Sequence, residues 1–575
     1  MVSKFSQRFK STKDISSSIK YERFPPRRDE TQLQPWPRRL LHVASMTSYE
    51  RQSGNKYNGV KEPSYNAISY TWGRYEDPSE APINISGLTW KVPGIKRSHF
   101  TVSEFEQALK TTANKKAFIW VDIACIDQEN EAVKMAEINN QAAIYQRARE
   151  VFAWMVPWAT SDMSKAYYTI EKYAESIGYI RPDGHPRLEP SNMAIQVDIE
   201  SVSRISQGMA QQGWFTSLWT LQEAFLSRPF FLSKSSELVY YRPFFRGKYG
   251  DNKFPVGISY VTGGCRDIWD ILRFSNDPHA RSICQSITDS GLLTMYFFQE
   301  PYLLYPAALK RYVSLPQDSV YAIMHVWGIQ MPTMDDADRL LLKLAIYTNS
   351  TDPLSYQIFV HETLVRASEA WRMSRTTHLP FQFFNSASIE HYCTIKATTR
   401  DRPEFSGNMT TLDDIALYWA ATQQQRRGSQ RVPYRPNVFL DAVQSSSCVC
   451  LELEDDPPAI DHPHIPRQDD KYTQKWPLQD LARQFPFPLK SYCVLLLGSR
   501  TARVFQRECP GYRLTYRIGL IVRQEESGKN KPWYRVGFCS WLTQSLKDPE
   551  NGILGVPDEI SVPYRGWKEI TCLIG

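Results

Sequence analysis

Residues 117–124 read AFIWVDIA, an apolar run broken once, by Asp122. A strand with one face in water alternates apolar and polar residues, whereas a strand covered on both faces does not. The run therefore reads as an interior strand of a parallel sheet, and its flanks agree. Upstream, residues 101–113 (TVSEFEQALKTTA) place Phe105, Ala108 and Leu109 on one helical face, with Thr101 or Ser103 available as N-cap. Before them, residues 65–72 (YNAISYTW) are β-branched and aromatic and stop at Gly73. Downstream, residues 131–148 set Val133, Ile138, Ala142 and Tyr145 at helical spacing, and VFAWMV at 151–156 gives the next strand, closed by Pro157. Strand, helix, strand, helix, strand is the order of a parallel α/β sheet with right-handed crossovers.

Further out, WPRRLLHV at 36–43 turns apolar as a first strand would, and residues 83–93 fit a small hairpin around Ser86-Gly87. Residues 160–212 are polar and helical in tone, an insertion before the amphipathic helix expected at 214–227 (WFTSLWTLQEAFLS), which Pro229 stops. This gives a parallel-sheet α/β domain over 36–230, preceded by a basic, poorly ordered tail at 1–35. Residues 231–444 form a mixed, mainly helical region, with helices expected at 265–275, 288–299, 335–350 and 411–424. Residues 445–489 are an acidic, Pro-rich linker (LEDDPPAIDHPHIP), whose His462 and His464 read as linker residues and not as ligands. Residues 490–575 alternate apolar and polar and read as a small β-rich C-terminal domain.

A chain of 575 residues is too long for one hydrophobic core. Its 42% apolar and 13% aromatic content argues for packed domains. The net charge of +7 is small for this length, so no nucleic acid is expected as partner. None of the ten cysteines forms a C-x-x-C pair, and the C-x-C at Cys448 and Cys450 lacks a second pair at zinc spacing. No metal site is expected, and Cys125 reads as a small buried hydrophobe. Neither a signal peptide nor an apolar run of about 18 residues is visible, so the expectation is a cytoplasmic protein without a membrane span.

Four blocks, in order, resemble the fungal heterokaryon-incompatibility (HET) domain: WPRRLLHV at 36–43, YNAISYTWG at 65–73, IWVDIACIDQEN at 119–130 with IYQRAREVFAWM at 144–155, and GWFTSLWTLQEAFLS at 213–227. Two steps depart from the family pattern. Asp127 stands where the family shows Asn, and Val133-Lys134 stands at the usual Glu-Arg pair.

HET domains in turn resemble Toll/interleukin-receptor (TIR) domains, which implies a TIR-like (flavodoxin-like) sheet. The resemblance carries the catalytic role of NAD-cleaving TIR enzymes onto Glu223. It implies that Ser69, Tyr70, Trp72, Asp122 and Trp219 bind substrate, and that NAD is substrate, with no cofactor. A cell-death effector of self-recognition, active when self-associated and answering to an incompatibility partner, is the implied biology. The alternative is a non-enzymatic adaptor that signals by oligomerisation. The chemistry is coherent from below. Trp219 and Glu223 stand four apart, so they lie on one helix face. One carboxylate can stabilise the oxocarbenium-like state formed as nicotinamide leaves.

Overall fold

The computed structural model describes residues 36–71, 76–156, 158–159, 161–165, 168–169, 200, 202–205, 207–209, 211–241, 254–272, 278–289, 291–296, 301–380, 386–398, 402–426, 436–442, 449–454, 473–506, 509–524, 531–546 and 566–574. The basic tail, Trp72, most of the 160–212 insertion, His462 and His464 lie outside the described residues.

The first sheet has six strands: β1 (Arg39–His42), β2 (Thr47–Glu50), β3 (Tyr65–Ser69), β4 (Phe118–Trp120), β5 (Val151–Trp154) and β6 (Phe230–Leu232). Their spatial order is β2-β1-β4-β3-β5-β6. Pairs β3–β4, β3–β5 and β5–β6 are parallel, while β1 and β2 add an antiparallel edge. The four parallel strands thus run second, first, third, fourth, and the order reverses around β3.

Right-handed crossovers then put successive helices on opposite faces, and the side chains of β3 follow. Asn66 Nδ2 donates to Thr112 O (2.8 Å) on α1 (Val102–Ala113), and the Tyr70 ring, two steps further along that face, lies 6.0 Å from Phe105. Tyr65, on the opposite face, donates its hydroxyl to Ile144 O (2.8 Å). The N-terminus of α1 carries a full capping box between Thr101 and Glu104.

Three elements expected as continuous are interrupted. The run at 117–124 stays a strand only through Trp120. At Asp122 it turns into α2 (Asp122–Cys125), with the Asp122 carboxylate accepting from Ile123 N at 2.7 Å. The 131–148 helix divides into α3 (Glu131–Ile138) and α4 (Gln141–Arg147) at Asn139-Asn140, residues that favour caps over helix interiors. His325 and Gln330 from the helical region bond the carbonyls of Ile138 and Asn139 at that break.

The 214–227 helix divides at Ser217 into α5 (Gly213–Thr216) and α6 (Leu218–Ser227). The cause is distant in sequence. Tyr312 N donates to Thr216 O (3.0 Å), and Leu218 N donates to Tyr312 O (3.3 Å). At 83–93 the expected hairpin is reduced to one bridge, Ile83 with Val92. Gly87 there sits at φ +78°, and a Cβ on it would meet Ser48 O at 2.5 Å.

The helical region contains α7 (Ile258–Leu272), α8 (Pro278–Asp289), α9 (Leu292–Tyr296), α10 (Pro301–Lys310), α11 (Asp318–Tyr321) and α12 (Ala337–Thr351). Its apolar faces share one core with the first sheet: Leu303, Leu304 and Ala308 of α10 belong to the same buried cluster as Ile68 and Phe152. The parallel sheet is therefore not a free-standing unit.

The β-rich part begins well before 490. Strands β7 (Ser386–His391), β8 (Thr394–Ala397), β9 (Pro403–Thr411), β10 (Asn437–Leu440), β11 (Val449–Glu454), β12 (Thr473–Pro477), β13 (Tyr492–Gln506), β14 (Cys509–Arg523), β15 (Tyr534–Leu546) and β16 (Lys568–Leu573) form one ten-stranded sheet. Its main path is β8-β9-β13-β14-β15-β10-β11-β12, with β7 on β13 and β16 on β9. Parts of the stretch read as a linker, β11 and β12, are thus sheet strands. One face packs on α12 through Ala345 and Ile346. The other is covered by α13 (Leu412–Arg426), with Trp419 and Trp541 rings 5.9 Å apart. Among the described residues no helix is long and apolar enough to cross a membrane.

Candidate functional site

The carboxyl-terminal ends of parallel strands collect functional groups, above all where the strand order reverses. Here Ser69 ends β3, and it is 1% exposed. Its hydroxyl donates to Glu223 Oε2 on α6 and accepts from Trp214 Nε1 on α5 at 2.8 Å. The Tyr145 hydroxyl of α4 also donates to the Glu223 carboxyl. Indole, serine and tyrosine thus form a relay of donors aimed at one buried carboxyl group.

Two effects oppose each other at Glu223. Burial disfavours its charge, the Ser69 and Tyr145 donors favour it, and the Asp122 carboxyl disfavours it again. Burial wins, and the group is pushed up to about 8. Asp122 is itself pushed up to about 6 by burial, against the Ile123 N–H that favours its charge. At neutral pH Glu223 is mostly protonated and Asp122 mostly ionised. Both carboxyls are thus raised by the same burial, Glu223 further than Asp122.

The six residues singled out from the sequence are distributed as follows. Ser69 and Glu223 are in direct contact, and Asp122 is close enough for its charge to act on Glu223. Tyr70 has its ring on the opposite face of the sheet, 6.0 Å from Phe105 and from Trp154, but its hydroxyl is pushed up by burial and by both Asp122 and Glu223. Trp72 lies outside the described residues. Trp219 is directed away, its Nε1 donating to Asp318 Oδ2 on α11 at 3.3 Å.

The indole at the site is Trp214, brought round by the break at Ser217. Trp214 and Tyr145 both lie inside the quoted sequence blocks. Their signal was an aromatic with a polar tip on a buried face, which needs a hydrogen-bond partner. Glu137, 7% exposed, accepts Arg38 N at 3.2 Å and so holds the start of β1. Cys125 is fully buried, its thiol pushed up to about 12 by burial.

Removing the Ser69 donor by Ser69→Ala takes away a bond that favours the Glu223 carboxylate. The titration of Glu223 should move above 8 and the alkaline loss of stability should move with it. Melting temperatures across pH 6–10, referenced to the Ser69→Ala/Glu223→Gln double variant, would show it. An unshifted window would mean that Ser69 does not act on the carboxyl.

Comparison with known proteins fits this location. Residues 65–223 match the family model described as Heterokaryon incompatibility protein (HET). The matched stretch opens at the first residue of β3 and ends on Glu223, so it encloses the cluster. No curated protein matches the chain. No solved structure matches it either.

Proposed function

We propose that the HET-matching region is a latent NAD glycohydrolase of a heterokaryon-incompatibility effector, with Glu223 as its catalytic carboxyl. The observation that carries this reading is the buried Glu223–Ser69–Tyr145–Trp214 cluster at the reversal point of the parallel sheet. In the reaction the nicotinamide–ribose bond breaks and both electrons pass to the nicotinamide nitrogen, which was cationic and needs no proton to leave. Water adds to the ribose carbon and loses a proton, giving ADP-ribose. The Glu223 carboxylate stabilises the positive charge on the sugar, and Ser69 and Tyr145 hold it in one orientation.

Burial keeps Glu223 protonated, and a protonated acid cannot supply that stabilisation. The reading therefore includes activation by assembly. An opening that hydrates Glu223 while Ser69 and Tyr145 still donate to it removes the burial effect and leaves the carboxylate. Specific activity should then rise with protein concentration. Nicotinamide release by the full chain, measured over a hundredfold range of concentration, tests this. Activity per molecule that does not rise with concentration removes the assembly step, and no release at any concentration removes the enzyme.

The same burial supports a second reading, a non-enzymatic adaptor in which Glu223 pins α6 to β3. Under it Glu223 variants alter stability and association, and nicotinamide is never released.

A further inference from the structure

Arg311 follows α10 directly and turns beneath the start of α6. The residue is 7% exposed. Its Nη1 donates to Ser217 O, the N-cap carbonyl of α6, at 2.8 Å, while Nη2 is buried without a partner. Among the described residues no carboxylate offsets the charge. Burial alone acts on it, bringing the guanidinium down to about 9. The ten-residue helix above it has no acidic residue in its first turn, and the Ser217 side chain does not cap it. A cation is thus held, dry and unpaired, at the end of a helix where the dipole is also positive. Buried charges are ordinarily paired, and helix N-termini bind anions.

We propose that Arg311 and the N-terminal turn of α6 form a binding site for a phosphate group. Glu223 lies six residues further along the same helix, about 9 Å by the helical rise. That is within the span of an extended dinucleotide, so the phosphate is either the substrate's own or a free phosphate acting on α6. Phosphate binding itself does not depend on the reading of Glu223 as catalytic.

The test uses the full chain carrying Glu223→Gln, so that turnover plays no part. Melting is followed with inorganic pyrophosphate against sodium chloride at equal ionic strength, with and without Arg311→Met. The expected result is a rise of about 5 °C at saturating pyrophosphate that disappears in Arg311→Met. In chloride alone Arg311→Met should be at least as stable as its parent, because it removes an unpaired buried charge. A rise of equal size in both proteins, or no rise in the parent, overturns the site.

An Arg311→Met that is less stable in chloride and still keeps the pyrophosphate rise makes Arg311 a structural donor to Ser217 and also overturns the site. Should that variant fail to fold, phosphorus line broadening of inorganic phosphate on the parent decides in its place, and no broadening overturns the site. Competition between pyrophosphate and ADP-ribose assigns the phosphate to the substrate, whereas independent binding assigns it to a free phosphate. Either outcome leaves the site standing.

Discussion

Glu223→Gln should lower nicotinamide release about a thousandfold while leaving the protein folded and, above neutral pH, more stable than the parent. The first half follows from the chemistry, because aimed electrostatic groups contribute about 10²–10³-fold each and this carboxyl is the group proposed to face the charge on the sugar. The second half follows from the burial of the acid. Glutamine matches the protonated carboxyl in shape and carries one acceptor and one donor group, so the Ser69 and Tyr145 hydroxyls can rotate to suit it.

The sign follows from the raised titration. Burial raises the Glu223 carboxyl to about 8 in the folded state, against 4.5 for a free glutamate side chain. Between these the folded state holds a proton that the unfolded state has released. The parent's stability is complete below about 4.5 and is lost as pH rises through about 8. The full loss is on the order of 5 kcal/mol. The melting temperatures of parent and Glu223→Gln should thus coincide near pH 4.5 and diverge steadily to about pH 8. Activity loss together with this divergence is the signature of a buried, functional acid. Divergence with release unchanged would leave the acid buried but move the chemistry elsewhere.

Strands β1, β3, β4 and β5 of the first sheet were legible because each is a short, mostly buried run, and all four fall inside the runs read from the sequence, whereas β2, only partly buried, and β6 were not read as strands. The pairing of Glu223 with Ser69 joins residues 154 positions apart, and only the resemblance to a known family placed both at one site. The identity of the indole was not legible. Trp219 and Glu223 do share one unbroken helix, but the Trp219 indole is taken by Asp318, and the break that Tyr312 makes at Ser217, nearly a hundred positions away in sequence, turns Trp214 to Ser69 in its place. The extent of the large sheet was hidden for a related reason. Except for β9, its early strands β7 to β12 are short, and β11 and β12 flank a Pro-rich stretch whose composition dominates a local reading. Local signals carried elements whose partners are close in the chain and failed where a distant segment supplies the hydrogen bond.

Asp441→Ala should be the most damaging substitution in the C-terminal half. Asp441 follows β10, and its carboxylate accepts Arg535 Nε (3.1 Å) and the backbone N of His361 (2.9 Å). The Arg535 side chain on β15 is fully buried. It also donates to Gln357 O (3.0 Å) and Oε1 (2.9 Å) and to Phe359 O, and it lies over the Phe359 ring. One guanidinium thus ties the segment after α12 to the large sheet. Removing the acid leaves that cation dry and unpaired, and it strips His361 N of its acceptor. The cost of breaking such a pair from one side is about 3–5 kcal/mol. Amide exchange in β13, β14 and β15 should accelerate by roughly two orders of magnitude or more, while β3 to β5 change little. The double variant Asp441→Leu/Arg535→Met should recover most of the loss, because the penalty belongs to the unpaired charge and not to the missing bond. If the double variant is as labile as the single one, the bonds from Arg535 to Gln357 and Phe359 hold this seam, and the Asp441 charge is incidental to it.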